Sequence, residues 1–497
     1  MAAAAATRSR QQLDPAFRLA MIVVLGATFL RVLWLGSASI DLYPDEAQYW
    51  VWSKHLDWGY FSKPPLVAWV IALTNALFGD SDIGTKIAAP FFHAGTSMVV
   101  YAIGTRLYDR RVGCWSAIAF VTLPAVSLSA IIISTDVPLL FFWSLALYGF
   151  VRAREPGARL GWWALVGVAG GLGLLSKYAM GFWLGSAVLY LAALRDERRH
   201  LKPFLAAVIL AAAIYAPNLA WNAAHGFVSY KHTEANANLS GPLFHPMAFL
   251  EFAGSQFGVF GPVFLGSLLV ILANARSVFA DRRALVLAAF ALPTLTIMLV
   301  EAFLVRAQPN WSAPTYVSAT ILVVAWLMAR GRDNWLQWSV VGHVFAAVLV
   351  LGAADLAKAV QLPLPGPWEP LHRLRGWHTL GRGVADLRMR YPTLPLMSDD
   401  REYMAALIYY MQPHPFDMVK WNISPRIGDG FDMTQRIADV PGQSFLYVTP
   451  NDATGVFPYF TDHRQVARIT VPIGSDLAPR HVDVYELNGF KGFGTPH

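Results

Sequence analysis

Apolar runs of about 18 or more residues, each long enough to cross a hydrocarbon core of roughly 30 Å, recur from residue 18 to residue 352. A water-soluble core has no use for so many, and the chain reads as a polytopic α-helical membrane protein. Of its 497 residues 55% are hydrophobic and 14% charged, whereas a soluble domain carries nearer a quarter charged. The single cysteine, Cys114, excludes an intrachain disulfide and any multi-cysteine metal site. Basic residues in the loops account for the net charge of +7, so no nucleic-acid partner is inferred from it. The basic start MAAAAATRSRQQLDPAFRLAM leads into a span-length segment with no small-residue cleavage site, so the first helix is expected to be retained.

Eleven spans are expected: 18–36, 84–105, 113–133, 137–152, 161–176, 179–194, 203–220, 246–273, 284–305, 311–329 and 335–353. The loops between them sort by charge. One side receives the arginines at 8, 10 and 18, at 106, 110 and 111, at 152, 154 and 159, at 195, 198 and 199 with Lys202, at 276, 282 and 283, and at 330 and 332; the other has only Lys54, Lys63, Lys86, Lys177, Lys231 and Arg306. The positive-inside rule makes the first side cytoplasmic. The N-terminus is then inside and the C-terminal segment outside. The apolar stretch 64–79 would be about 24 Å long as a helix, short for a span. If it crossed, every later loop would change sides. It is expected to be re-entrant or to lie in the outer interface.

Residues 1–353 are therefore expected to form the membrane domain, 354–370, with LPLPGPWEP at 362–370, a linker, and 371–497 a small extracytoplasmic α/β domain. In that domain 444–450, 464–473 and 481–490 read as strands and 399–411 as a helix.

With this topology the unusual polar residues share the outer side. Asp45 and Glu46 follow the first span, Asp136 lies in IIISTDVPLLFF, Lys177 in GLLSKYAMGF, and Arg306, Asn310 and Trp311 in VRAQPNWSAP. Ionisable residues set deep in apolar sequence are costly and tend to mark function. Asp45 and Glu46 are equally compatible with solvated loop acids or helix caps, Asp136 before Val-Pro with an N-cap, and Lys177 and Arg306 with snorkelling to headgroups. The histidines His55, His93, His225 and His232 show no ligand spacing.

An acidic pair after the first helix, a following Y-x-x-K-P-P (Tyr60 to Pro65), an Asp at the second outer turn and a Lys at the third resemble the GT-C glycosyltransferases of the family 39/83 group. That group holds protein O-mannosyltransferases, the aminoarabinose transferase of lipid A and rhizobial lipopolysaccharide galacturonosyltransferases. The stretches PDEAQYWVWSKHLDWGYFSKPPLVAWVIAL, GLLSKYAMGF and QPNWSAPTYV are most similar to the last branch. The resemblance covers roughly residues 18–352; a WWD motif and a β-trefoil insert are both absent from the sequence. It implies an inverting transferase in a bacterial inner membrane, moving one sugar from a polyprenyl-phosphate donor to lipid A or lipopolysaccharide at the periplasmic face. A protein O-mannosyltransferase is the alternative acceptor reading, and a flippase or transporter of lipid-linked sugars the alternative class.

By the resemblance, Asp45, Glu46 and Asp136 are the expected catalytic acids, with Asp45 orienting or deprotonating the acceptor. Lys63 and Lys177, and more weakly Arg306, would hold the donor phosphate. Tyr60, Tyr178, Asn310 and Trp311 would line the substrate site. The outer carboxylates are compatible with a divalent cation, Mg²⁺ or Mn²⁺, and equally with neutralisation by the lysines.

Overall fold

The computed structural model describes residues 14–38, 40–237, 243–359, 371–473 and 478–494. The expected linker stretch 362–370 lies outside the described residues. Helix, whole or broken, occupies each of the eleven expected segments. Among the described residues six helices are long and apolar enough to cross a membrane: Pro15–Ser37, Asp82–Leu107, Asp136–Ala153, Arg198–Ala224, Arg282–Leu304 and Asp333–Ala353. Shorter apolar helices, Leu66–Phe78, Gly161–Ser176, Met180–Ala193 and Thr315–Met328, pack among them.

Four expected spans are interrupted: 84–105 at Ile87, 284–305 at Phe290-Ala291, and two more at a proline that opens the second helix. The segment 113–133 divides into Arg110–Thr122 and Pro124–Ser129, because Pro124 can begin a helix but cannot continue one. The segment 246–273 bends by 116° between Pro246–Phe260 and Pro262–Ala273; counted as one, this pair makes a seventh span. Gly261 takes φ +87° at the bend, and a Cβ there would sit 2.3 Å from His343 Nε2. Only glycine fits that turn.

Ion pairs bind the loops of one end together: Arg110 to Asp14 at 2.7 Å, Arg111 to Asp333 at 3.0 Å, Arg282 to Asp196 at 3.2 Å, and Arg106 to Glu155 and Arg154 to Glu197. These loops are the ones the arginine sorting grouped on one side. The exposed pairs among these contribute about 0–1 kcal/mol each, so they report topology more than stability.

At the other end the segment 41–81 folds into an outer layer. Lys54 and Trp50 both reach Asp80, across the Leu66–Phe78 helix. Trp69 donates to the Asp57 carbonyl at 3.0 Å, Trp221 to the Asp57 carboxylate at 2.7 Å, and Asn218 to the Trp58 carbonyl at 2.6 Å. The loop before Lys63 is thus fastened to its neighbours by side chains, not by secondary structure.

The C-terminal domain holds a five-stranded sheet of β1 (Leu396–Ser398), β2 (Val419–Lys420), β3 (Phe445–Thr449), β4 (Phe460–Val471) and β5 (Arg480–Phe490), in the order β2-β1-β3-β5-β4. β1 is parallel to β2 and β3, while β5 runs antiparallel to β3 and β4. Helices Trp377–Arg388 and Arg401–Tyr410 cover it. The domain docks on the outer layer. Trp50 packs edge-on to Tyr409 at 4.7 Å and parallel to Phe416 at 5.8 Å. Asp41 accepts the backbone N–H of Trp377 at 2.7 Å, and the Leu42 N–H donates to the Tyr410 hydroxyl at 2.6 Å. Apolar side chains from 42–71 and from the C-terminal domain share one buried cluster.

Candidate active site

The helix Pro44–Ser53 sets the first two acids. Pro44 occupies its first turn, where its missing N–H costs nothing, and carboxylates favour the same turn through the helix dipole. Neighbouring residues on a helix point about 100° apart, so Asp45 and Glu46 face different surroundings. Glu46 points inward and is fully buried, paired with the buried Lys86. It also accepts the Tyr43 N–H at 2.8 Å and the Ile133 N–H at 2.7 Å. Both its oxygens are occupied, and the group ties three segments together.

Asp45 points outward. Its Oδ1 accepts from Arg401 Nη1 at 2.8 Å, its second oxygen takes no hydrogen bond among the described residues, and its side chain is 41% exposed. Asp136 begins the helix Asp136–Ala153. Its Oδ1 accepts from Lys177 Nζ at 2.7 Å and its Oδ2 from Asn310 Nδ2 at 2.9 Å, joining three turns. Lys63 is half-buried and makes no side-chain hydrogen bond or ion pair among the described residues. Burial lowers its pKa, the Lys177 charge lowers it further, and Asp45 and Asp136 oppose that fall. Asp45, Lys63, Asp136, Lys177 and Asn310 therefore form one cluster at one end of the bundle. With Arg401 it holds three cations against two carboxylates.

The other expected residues divide. The Tyr178 ring stands 5.1 Å from that of Tyr230, and its hydroxyl accepts from Asn222 at 3.4 Å. The Tyr60 hydroxyl is engaged with the Asp57 N–H and the Trp52 carbonyl, and its ring lies parallel to Trp52 at 4.5 Å; it holds the loop. Trp311 packs against the cluster of Phe252, Met298, Ala302 and Ala307. Arg306 is exposed and takes part in no ion pair among the described residues.

Three residues of this neighbourhood escape sequence reasoning. Arg401 comes from the C-terminal domain and also binds Gln48. Lys86 is the partner of Glu46, and its lysine-in-apolar-sequence setting was a usable signal. His232 lies against Phe61 at 4.9 Å, its pKa lowered by burial and then by Lys63 and Arg401. No local pattern separates it from the other histidines.

Each carboxylate already has a cationic partner, and among the described residues no three His, Cys, Asp or Glu side chains gather as metal ligands. What the cluster offers is a carboxylate oxygen of Asp45 and the ammonium of Lys63, neither of them hydrogen-bonded among the described residues. That suits an acceptor that must lose a proton next to a phosphate that must gain charge.

Known proteins resemble the chain in sequence and in fold. The profile of the family described as dolichyl-phosphate-mannose-protein mannosyltransferase matches residues 62–221. Lipid A galacturonosyltransferase RgtD of Rhizobium johnstonii is 32% identical over 399 residues, 80% of this chain and 83% of its own. An undecaprenyl phosphate-alpha-4-amino-4-deoxy-L-arabinose arabinosyl transferase of Pseudomonas fluorescens is 31% identical over 151 residues, 27% of this chain and 26% of its own. The solved structure of ArnT from Cupriavidus metallidurans bound to undecaprenyl phosphate shares the fold, with a TM-score of 0.64 at 18% identity over 94% of this chain and 97% of that one. Similarity to RgtD over four fifths of both chains fixes the family, and the chain belongs to the membrane-embedded GT-C glycosyltransferases that draw their sugar from a polyprenyl-phosphate carrier.

Proposed function

We propose that this enzyme transfers one galacturonic acid residue from polyprenyl phosphate to lipid A, at the periplasmic face of a bacterial inner membrane. The N-terminus then faces the cytoplasm and the C-terminal domain the periplasm. The activity for which RgtD is named, and that of the lipopolysaccharide core galacturonosyltransferase RgtA, 27% identical over 58% of this chain, support the sugar and the acceptor class. One observation carries the mechanism. Of the three expected acids, only Asp45 keeps a carboxylate oxygen without a hydrogen-bond partner among the described residues, within electrostatic reach of the unpaired Lys63.

In this reading an acceptor hydroxyl oxygen attacks the anomeric carbon and passes its proton to Asp45. The bond from that carbon to the phosphate oxygen breaks, and polyprenyl phosphate leaves. Attack opposite the leaving group inverts the anomeric centre. Charge growing on the phosphate meets Lys63 and Lys177, where preorganised cations are worth several kcal/mol. Asp136 and Asn310 hold Lys177 in place, and Glu46 with Lys86 holds the helix that carries Asp45. No step needs a divalent cation.

Purified protein in detergent, given galacturonosyl polyprenyl phosphate and lipid A, is expected to yield lipid A heavier by one uronic acid residue, read by mass spectrometry. Asp45→Asn should lower that rate by about 10²–10⁴-fold, the usual worth of a general base. Wild-type turnover by Asp45→Asn would remove the base assignment. Turnover with an aminoarabinosyl donor but not the galacturonosyl one would overturn the sugar.

A further inference from the structure

Arg401 stands 356 residues from Asp45 in sequence, yet its guanidinium reaches it. The helix Arg401–Tyr410 begins at this arginine, with Asp400 as its cap, accepting the N–H groups of Glu402 at 2.8 Å and Tyr403 at 3.0 Å. The cap fixes the helix start, and so the origin of the Arg401 side chain. Nη1 is shared between Asp45 Oδ1 and Gln48 Oε1. Asp45, Gln48 and Trp52 lie on one face of their helix, at spacings of three and four. A second segment of the same domain meets that face: a Cβ on Gly430 would lie 3.2 Å from Gln48 Nε2 and 3.7 Å from Trp52 Nε1. Behind Arg401 the charges alternate, with Glu402 at 3.6 Å, Arg373 3.7 Å from Glu402, and the Arg373 guanidinium 4.6 Å above the Tyr43 ring.

We infer that Arg401 is a positioning residue for glycosyl transfer, turning Asp45 so that its free oxygen faces the acceptor, and that the extracytoplasmic domain thereby supplies part of the active site. The inference rests on the reading of Asp45 as the base. A carboxylate this exposed would otherwise sample several rotamers, and a reacting group misplaced by about 1 Å loses on the order of 10²-fold in rate. A guanidinium presents its donors in a rigid plane, which an ammonium does not. Fold stability is a poor alternative role. The Asp45–Arg401 pair is 41% and 32% exposed, a setting where ion pairs add little, and the domain is already held by Trp50, Asp41 and Tyr410.

The test uses the full-length protein in detergent with Arg401→Gln, Arg401→Lys, Asp45→Asn and the double variant Asp45→Asn/Arg401→Gln. Arg401→Gln should lower kcat by about 10–100-fold, with KM for the donor, binding of undecaprenyl phosphate and the thermal midpoint unchanged. Arg401→Lys should recover part of the loss. The double variant should be no slower than Asp45→Asn alone, since one residue acts through the other. Wild-type kcat in Arg401→Gln, with Asp45→Asn inactive, sinks the positioning role and leaves the base reading standing. Losses that multiply in the double variant also sink it, because the two groups then act independently. Wild-type kcat in Asp45→Asn removes the base reading and this inference with it. Should the Gln variant fail to fold, a folded Arg401→Lys with full kcat is the overturning result.

Discussion

Glu46–Lys86 and Asp136–Lys177 are the same chemical pair in two settings. The first is sealed, with side chains 0% and 2% exposed; the second is open, at 10% and 20%. Glu46 spends both oxygens on Lys86 and two backbone N–H groups. Asp136 spends its oxygens on Lys177 and Asn310, but the Lys177 ammonium has three donors and uses one among the described residues. A sealed pair can only hold structure. An open one can take a further anion without first being broken, which is what a donor phosphate needs. Two acids of one expected site thus separate into a joist and a tool according to how completely each pair is closed off.

The contrast can be broken from its strongest side first. Lys86→Met leaves Glu46 charged and alone in a sealed site, a loss of about 3–5 kcal/mol. Folded yield and thermal midpoint should both collapse. Glu46→Leu/Lys86→Met removes the charge as well and should regain most of that loss, since apolar replacement of a buried pair is often neutral. A Lys86→Met protein with unchanged melting would make the pair dispensable. Lys177→Met should behave in the opposite way: a smaller loss of stability than Lys86→Met, but transfer slowed by about 10²–10³-fold. Equal losses in folding and rate would erase the distinction between the two pairs.

The smallest expected effect is in pH dependence. Burial, with Lys177 nearby, lowers the Lys63 pKa. A lysine that must be charged to meet phosphate works below its pKa, so kcat/KM should fall as pH rises through a value under the ordinary lysine range, about 10.4. Lys63→Arg, slower in absolute rate, should lose that alkaline limb, because guanidinium stays protonated. An unchanged limb in that variant would assign the titration elsewhere.

Much of this arrangement is legible in sequence, for identifiable reasons. Apolar runs and arginine sorting locate the helices and their ends because both are properties of composition over many residues. The interruptions at Leu123-Pro124 and Gly261-Pro262 also lie in the sequence, but a hydropathy window does not see φ angles. In the C-terminal domain β4 and β5 carry short alternating stretches and β3 is a compact apolar run. β1 and β2, three and two residues long, are too short to carry a period. Asp45, Lys63, Asp136, Lys177 and Asn310 can be listed from motif order alone. The sequence cannot tell Asp45 from Glu46, since their difference is a rotation about a helix that the aromatic-rich stretch conceals. Arg401 is further out of reach, because its role depends on how one domain lands on another.

β5 lies between β3 and β4 in the sheet, yet it is the last of the strands in the chain. During translation the membrane helices leave the ribosome first, and the sheet cannot close until residue 490 has followed. If the site draws on that sheet, a nascent chain can sit in the bilayer among lipid-linked sugars long before it can react with them. A premature stop before β5 would give an inserted but idle protein, so the order of synthesis itself delays the onset of activity.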